Sequence, residues 1–202
     1  RSVSRGLGDV YKRQGVNYFA LMSYYLMSPL NFLTVFLPSE WLREFLMFSV
    51  VIKVACASMF MAIFLRSLFK KNDFSLVIFG CSFGFCAFFM GYYWNTIWLD
   101  TVCITPLVAL GTVKLFTEGK FRLYIVSLAL SLLTNYYIGL FACIFVLLSF
   151  IAYNIVKWDG IKKFATNLLH TGIYSLIALG LTAFFLLPAF FGCLLYTSDA
   201  AD

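Results

Sequence analysis

Residues 123–156 run for 34 positions without a single charged side chain. As one α-helix such a run would be about 51 Å long, whereas the hydrocarbon core of a bilayer is about 30 Å thick. Four more blocks are almost as apolar, at residues 42–65, 74–93, 101–116 and 164–191. Only 12% of the chain is charged, while 62% is hydrophobic. A soluble domain carries about 25% charge, and a chain this poor in it could not cover a water-facing surface. A soluble enzyme, a nucleic-acid module and a disordered tail are thereby excluded. The pattern predicts an all-α, polytopic transmembrane helical bundle.

The two ends read differently from the middle. SRGLGDVYKRQ at residues 4–14 and CLLYTSDAAD at residues 193–202 back-translate to sequences that resemble the paired DNA adapters of transposase-based sequencing libraries. Residues 1–14 and 192–202 are therefore expected to be adapter-derived and are set aside from the fold. Residues 15–191 are expected to be an internal fragment of one multi-span membrane domain. Setting the ends aside removes four of fifteen basic residues and three of nine acidic ones, leaving eleven and six, a net charge of +5. Cys193 goes with them. The remaining Cys56, Cys81, Cys86, Cys103 and Cys143 all lie in apolar runs, where free cysteine behaves as a small hydrophobe. Their spacing matches neither a zinc site nor a disulfide framework.

Nine of those eleven basic residues fall at 66–71, 114–122 and 157–163. The positive-inside rule puts all three clusters on the cytoplasmic side. The 123–156 block satisfies the rule only if it crosses twice, with a break at Thr134-Asn135-Tyr136-Tyr137. Its first half is then short, and should be partly buried among its neighbours. About six spans result, with residues 94–100 and 135–137 sharing the outer side. Residues 15–41 also lie there, apolar and aromatic but interrupted by Pro29 and Pro38, which cannot continue a helix ladder. Short helices lying in the membrane interface are expected, with Asn17, Ser28 and Asn31 as polar points and aromatic anchors beside them.

Few polar residues remain to carry chemistry. Asp100 is the only ionisable residue in the outer turns after the first span. It reads either as a carboxylate favoured by a helix N-terminus or as a general base or metal ligand at the mouth of a membrane cavity. Lys53 lies within the first span, where a lysine is costly and by default a functional candidate; the plainer alternative is snorkelling to an interface. As a site it offers positive charge to a lipid phosphate. Asn135, Tyr136 and Tyr137 read as an interfacial aromatic belt or as a wall that stacks on a sugar ring and hydrogen-bonds its hydroxyls, with Asn95 and Trp98 doing the same from the neighbouring turn. His170, the sole histidine, reads as an ordinary helix residue. Gly80 and Gly84, four apart, permit close helix packing. There is no phosphate-binding glycine loop, HExxH or nucleophile elbow, and no internal repeat of the transporter kind.

Several phrases together are distinctive: Gly15-Val16-Asn17, Tyr24-Tyr25-Leu26-Met27-Ser28-Pro29-Leu30-Asn31, Lys53, Asn95-Thr96-Ile97-Trp98-Leu99-Asp100 and Asn135-Tyr136-Tyr137-Ile138-Gly139. In order and spacing they resemble the YfhO family of bacterial membrane proteins, across essentially all of residues 15–191. The resemblance implies an architecture like the C-type membrane glycosyltransferases, which take a sugar from a polyprenyl-phosphate donor at the outer leaflet. It implies a cell-envelope acceptor, teichoic acid in some Gram-positive relatives, and a bacterial cell membrane location. The catalytic acid of C-type enzymes sits in their first large outer loop, which here would precede Gly15, so this fragment alone is expected to be inactive. Asp100 is then the remaining acidic candidate, as catalytic carboxylate or metal ligand, with a divalent cation as the one cofactor in view. Lys53, Asn95, Trp98, Asn135, Tyr136 and Tyr137 are the substrate-binding candidates. The expected partners are membrane lipid, a polyprenyl-phosphate-linked sugar and an envelope polymer, with no nucleic acid. Two other classes stay open: a lipid or polymer transporter using Lys53 and Asp100 as a coupling pair, and a non-catalytic scaffold subunit.

Overall fold

The computed structural model describes residues 27–199. The head, residues 15–26 with Asn17, and residues 200–202 lie outside the described residues.

The chain enters through two 3-10 turns, Asn31–Phe36 and Ser39–Trp41, on either side of Pro38. The expected interfacial helices are, in the described part, these tighter turns. Proline at 38 takes extended backbone, which stops the first turn and opens the second. Phe36 and Trp41 are exposed, as membrane-interface anchors would be.

Helix α1, Leu42–Phe69, is a single 28-residue rod. It buries only one narrow stripe, Ser49, Lys53 and Ala57, spaced four apart on one face. It ends at Lys70 in the left-handed conformation, whose N–H caps the Arg66 carbonyl at 2.9 Å. The next apolar block, expected as one span over 74–93, is instead two helices, α2 at Ser75–Gly84 and α3 at Ala87–Gly91. Cys86 between them is extended. The break turns Phe89 inward, where it is fully buried with the Phe83 and Phe88 rings edge-on to it. Gly80 and Gly84 allow α2 to lie directly on α1. A Cβ on Gly80 would stand 2.6 Å from the Ser58 carbonyl, and one on Gly84 2.9 Å from that of Val54.

Helix α4, Thr96–Glu118, is the centre of the bundle and the most buried element, packing on α1 and on the two helices that follow it. It starts five residues before the span expected from hydropathy, so the outer turn holding Trp98 and Asp100 is the helix's own first turns. Helices α5, Arg122–Thr134, and α6, Tyr136–Val156, are separated by Asn135 in extended conformation. The uncharged 34-residue block is thus two helices with the break where length and polarity place it. At 13 residues α5 spans only about 20 Å, and it is buried along Tyr124, Leu128 and Leu132. Gly111 lets α4 approach it: a Cβ there would meet the Tyr124 backbone at 2.7 Å. Helix α7, Ile161–Asp199, packs mainly on α5. It is continuous past residue 191, where the last span was expected to close.

Among the described residues four helical segments are long and apolar enough to cross a membrane, at Ser39–Phe69, Thr96–Glu118, Tyr136–Val156 and Ile161–Pro188, with shorter apolar segments at Ser75–Gly91 and Arg122–Thr134. The architecture is the expected all-helical membrane bundle. Its three basic clusters sit at one end. Glu118 feels the charges of Lys120, Lys114 and Lys70 together. The Tyr153 hydroxyl donates to the Phe116 carbonyl at 3.3 Å, and Lys157 lies 5.9 Å over the Tyr153 ring.

Candidate functional site

At the end opposite the basic turns, the first turns of α4 meet the middle of α1 and the α5–α6 break. Lys53 is on the only buried stripe of α1, so its ammonium is directed at α4 rather than at lipid. It donates to Asp100 Oδ2 at 2.8 Å and to the Thr96 carbonyl at 2.9 Å. Both partners are enclosed, Lys53 2% and Asp100 7% exposed. The Thr96 carbonyl belongs to the first residue of α4, and Asp100 lies one turn further along the same face. One ammonium thus clamps two groups of one helix. Ser28, itself buried, lies against the Asp100 carboxylate from the entering chain. Breaking one side of a buried pair of this kind leaves an uncompensated charge, at a cost of about 3–5 kcal/mol.

A second polar cluster adjoins the first through Thr101. Its hydroxyl pairs with the Thr134 hydroxyl at 3.0 Å and reaches the Ser131 carbonyl at 3.3 Å. Thr134 is the last residue of α5, and Asn135 follows. The Asn135 side chain is fully buried, and its Oδ1 accepts from the Ile138 N–H at 3.0 Å, making it the N-cap of α6. Its Nδ2 and the Ser131 hydroxyl have no protein partner. Buried donors without partners are rare, and these two lie within one turn of each other.

Aromatic rings cover this end. Trp98 stands 6.4 Å from Tyr137 across the α4–α6 interface and 5.8 Å from Tyr92 on the other side. Phe88 continues the row from Tyr92 and Phe141 from Tyr137. Of the residues singled out from sequence, the structure joins Lys53 to Asp100 and Trp98 to Tyr137. It links the chain neighbours of Asp100 and Asn135 through the Thr101–Thr134 hydroxyl pair. Asn95, the half-buried N-cap position of α4, does not cap the helix with its side chain. Tyr136 is half-buried at the first position of α6. Thr96, Thr101, Ser131, Thr134 and Tyr92 were not anticipated as members of the site. Ser131 and Thr134 carried a signal, as hydroxyls four residues and one residue before Asn135 on a largely apolar helix.

Lys53, read from the sequence as a positive charge offered to a lipid phosphate, is paired with Asp100 in this structure. The same pairing bears on a divalent cation at Asp100. Such an ion takes several oxygen ligands, but the carboxylate is met by an ammonium, and among the described residues no group of three His, Cys, Asp or Glu could hold a metal. These residues do not fit a metal centre, and no metal-dependent step is derived from them. His170 is remote from the cluster and lies beside the Tyr174 ring.

A polytopic helical bundle with basic turns at one end, and a buried ion pair under an aromatic row at the other, is an integral membrane protein. A family profile described as bacterial membrane protein YfhO matches residues 9–202. The chain belongs to that family, which together with its apolar helices places it in a bacterial membrane. The matched range overlaps part of the head and all of the tail. No curated protein and no solved structure matches the chain.

Proposed function

We propose that this chain is part of a membrane glycosyltransferase-like protein, which moves a sugar from a polyprenyl-phosphate donor to a cell-envelope polymer at the outer face. The observation that carries the reading is the convergence on one end of the bundle of a buried carboxylate, a lysine and a Trp98–Tyr137 ring pair. Aromatic faces suit sugar rings, and the unpartnered Asn135 amide suits a sugar hydroxyl. The lipid tail of the donor partitions into the bilayer beside the apolar outer faces of the helices. In the transfer step the acceptor hydroxyl oxygen bonds to the anomeric carbon. The bond from that carbon to the phosphate oxygen breaks, and the lipid phosphate leaves with the electron pair. The hydroxyl proton passes to a carboxylate, for which Asp100 is the buried candidate among the described residues. Lys53 then has a role in two stages. It orients Asp100 before transfer, and once Asp100 is neutral its freed charge faces the departing phosphate.

The test uses the full-length protein in proteoliposomes with a polyprenyl-phosphate donor carrying a labelled sugar. Label should pass to envelope polymer, and Asp100→Asn should reduce that transfer at least a hundredfold, the scale of a lost general base. Unchanged transfer with normal expression removes Asp100 from the site. A second reading, transport of a lipid or polymer, is favoured by the Lys53–Asp100 pair itself, because it bridges two spans and its opening would separate them. Movement of the donor across the bilayer without cleavage of its sugar bond would establish that reading instead.

A further inference from the structure

At the basic end, away from the proposed transfer site, a groove of about 440 Å³ opens between the end of α1 and the start of α2. Its walls are apolar, from Met61 and Leu65 on α1 and Leu76 and Phe79 on α2, and its exposed end carries Lys71 and Ser75. We propose that this groove holds an anionic phospholipid from the leaflet at the basic end, its acyl chain along the walls and its phosphate at Lys71.

Three features select this occupant. The first is charge. The turn carries Arg66, Lys70 and Lys71 against the single carboxylate of Asp73, which is engaged by the Ser75 hydroxyl. Among the described residues the ion pairs at this end are Lys120–Glu118 and Lys163–Asp159, so none of Arg66, Lys70 and Lys71 is held in one, although Lys70 is near enough for Glu118 to feel its charge. The second is shape. A free phosphate would use the lysine and leave the apolar walls wet, whereas a lipid satisfies both. The third is the absence of a carboxylate among the groove's lining residues; the nearest acid, Asp73, is outnumbered by the three basic side chains of the turn and engaged by Ser75, which favours a headgroup of net negative charge over a choline or ethanolamine cation. Exposed rings flank the groove as well, Phe69 on its lining and Phe74 in the turn before Ser75.

The test places a reporter in the groove. Phe79→Trp is made in the complete chain, which is inserted into phosphatidylcholine vesicles containing brominated phosphatidylglycerol or brominated phosphatidylcholine. Quenching is read as the difference from the unsubstituted chain. The phosphatidylglycerol should quench at roughly fivefold lower mole fraction, the factor that one lysine contact to an anionic lipid supplies. Lys71→Gln should bring the two lipids close to equality, whereas Lys120→Gln, in another turn, should leave the preference intact. Equal quenching in the parent reporter, or a preference that survives Lys71→Gln, overturns the site. Loss of the preference on adding soluble glycerol phosphate assigns the lysine to a free phosphate and also overturns it. If Phe79→Trp does not fold, native mass spectrometry decides instead: co-purified phosphatidylglycerol should fall severalfold in Lys71→Gln, and unchanged retention refutes the proposal. None of these readouts depends on sugar transfer.

Discussion

Lys53 and Asp100 stand 47 positions apart in the chain, and their charged atoms are 2.8 Å apart in the fold. Each was legible as an unusual residue, because a charge in or beside an apolar run is expensive. Their pairing was not, since nothing in the order of residues says which face of one helix meets which face of another. The pair makes a stability prediction distinct from the catalytic one. Lys53→Met alone strands a buried carboxylate and should cost about 3–5 kcal/mol, while Lys53→Met with Asp100→Leu removes both charges and should recover most of the loss. Thermal unfolding of the purified variants in detergent measures this. A double variant no more stable than the single one would show that the pair is not the energetic unit described here.

Helices in this chain are delimited by packing as much as by residue preference. The α5–α6 break was legible because 34 residues are too many for one crossing and Asn135 is a strong N-cap. The α2–α3 break was not: no proline marks residues 85–86, and the cause is the burial of Phe89 and the close seat of α2 on α1. Asn135 separates cap from site. Asn135→Ala loses the cap and should cost about 1 kcal/mol. Asn135→Ser keeps a capping oxygen and loses the amide, so its melting temperature should stay near that of the parent while sugar transfer falls. Equal transfer by Asn135→Ser and the parent would leave the amide without a functional role. Gly80→Leu tests the α1–α2 contact, because its side chain would enter the space of the Ser58 carbonyl and Ala62. Overpacking of this kind costs about 1–3 kcal/mol, and a lowered melting temperature with helix content retained is the expected result.

Among the described residues the molecule gathers nine of its eleven basic side chains at one end, and we propose that this end is cytoplasmic. Cysteines introduced at Asn72, Lys120 and Asp159 should react with a membrane-impermeant maleimide only in inverted vesicles, and one at Tyr93 only in right-side-out vesicles. The native cysteines at 56, 81, 86, 103 and 143 lie on or between apolar helices and should form the unlabelled baseline. Labelling of Asn72→Cys and Lys120→Cys from opposite sides would contradict the bundle. The adapter reading of residues 1–14 and 192–202 is tested at the same scale, by sequencing the genomic locus, which should carry different residues at both ends.

The membrane environment, the all-helical architecture and the gathering of basic turns follow from the sequence by itself. They depend on how many uncharged residues stand in a row and where lysine and arginine interrupt them, and both are properties of the chain read in one dimension. The tertiary structure alone decided that Lys53 is neutralised by Asp100, that Thr101 links that pair to the α5–α6 break, and that Trp98 and Tyr137 share one surface. Those contacts depend on the rotation of each helix about its axis. That rotation is set by small residues such as Gly80, Gly84 and Gly111, which admit a neighbouring backbone on one side only, and it becomes definite once the helices are packed together.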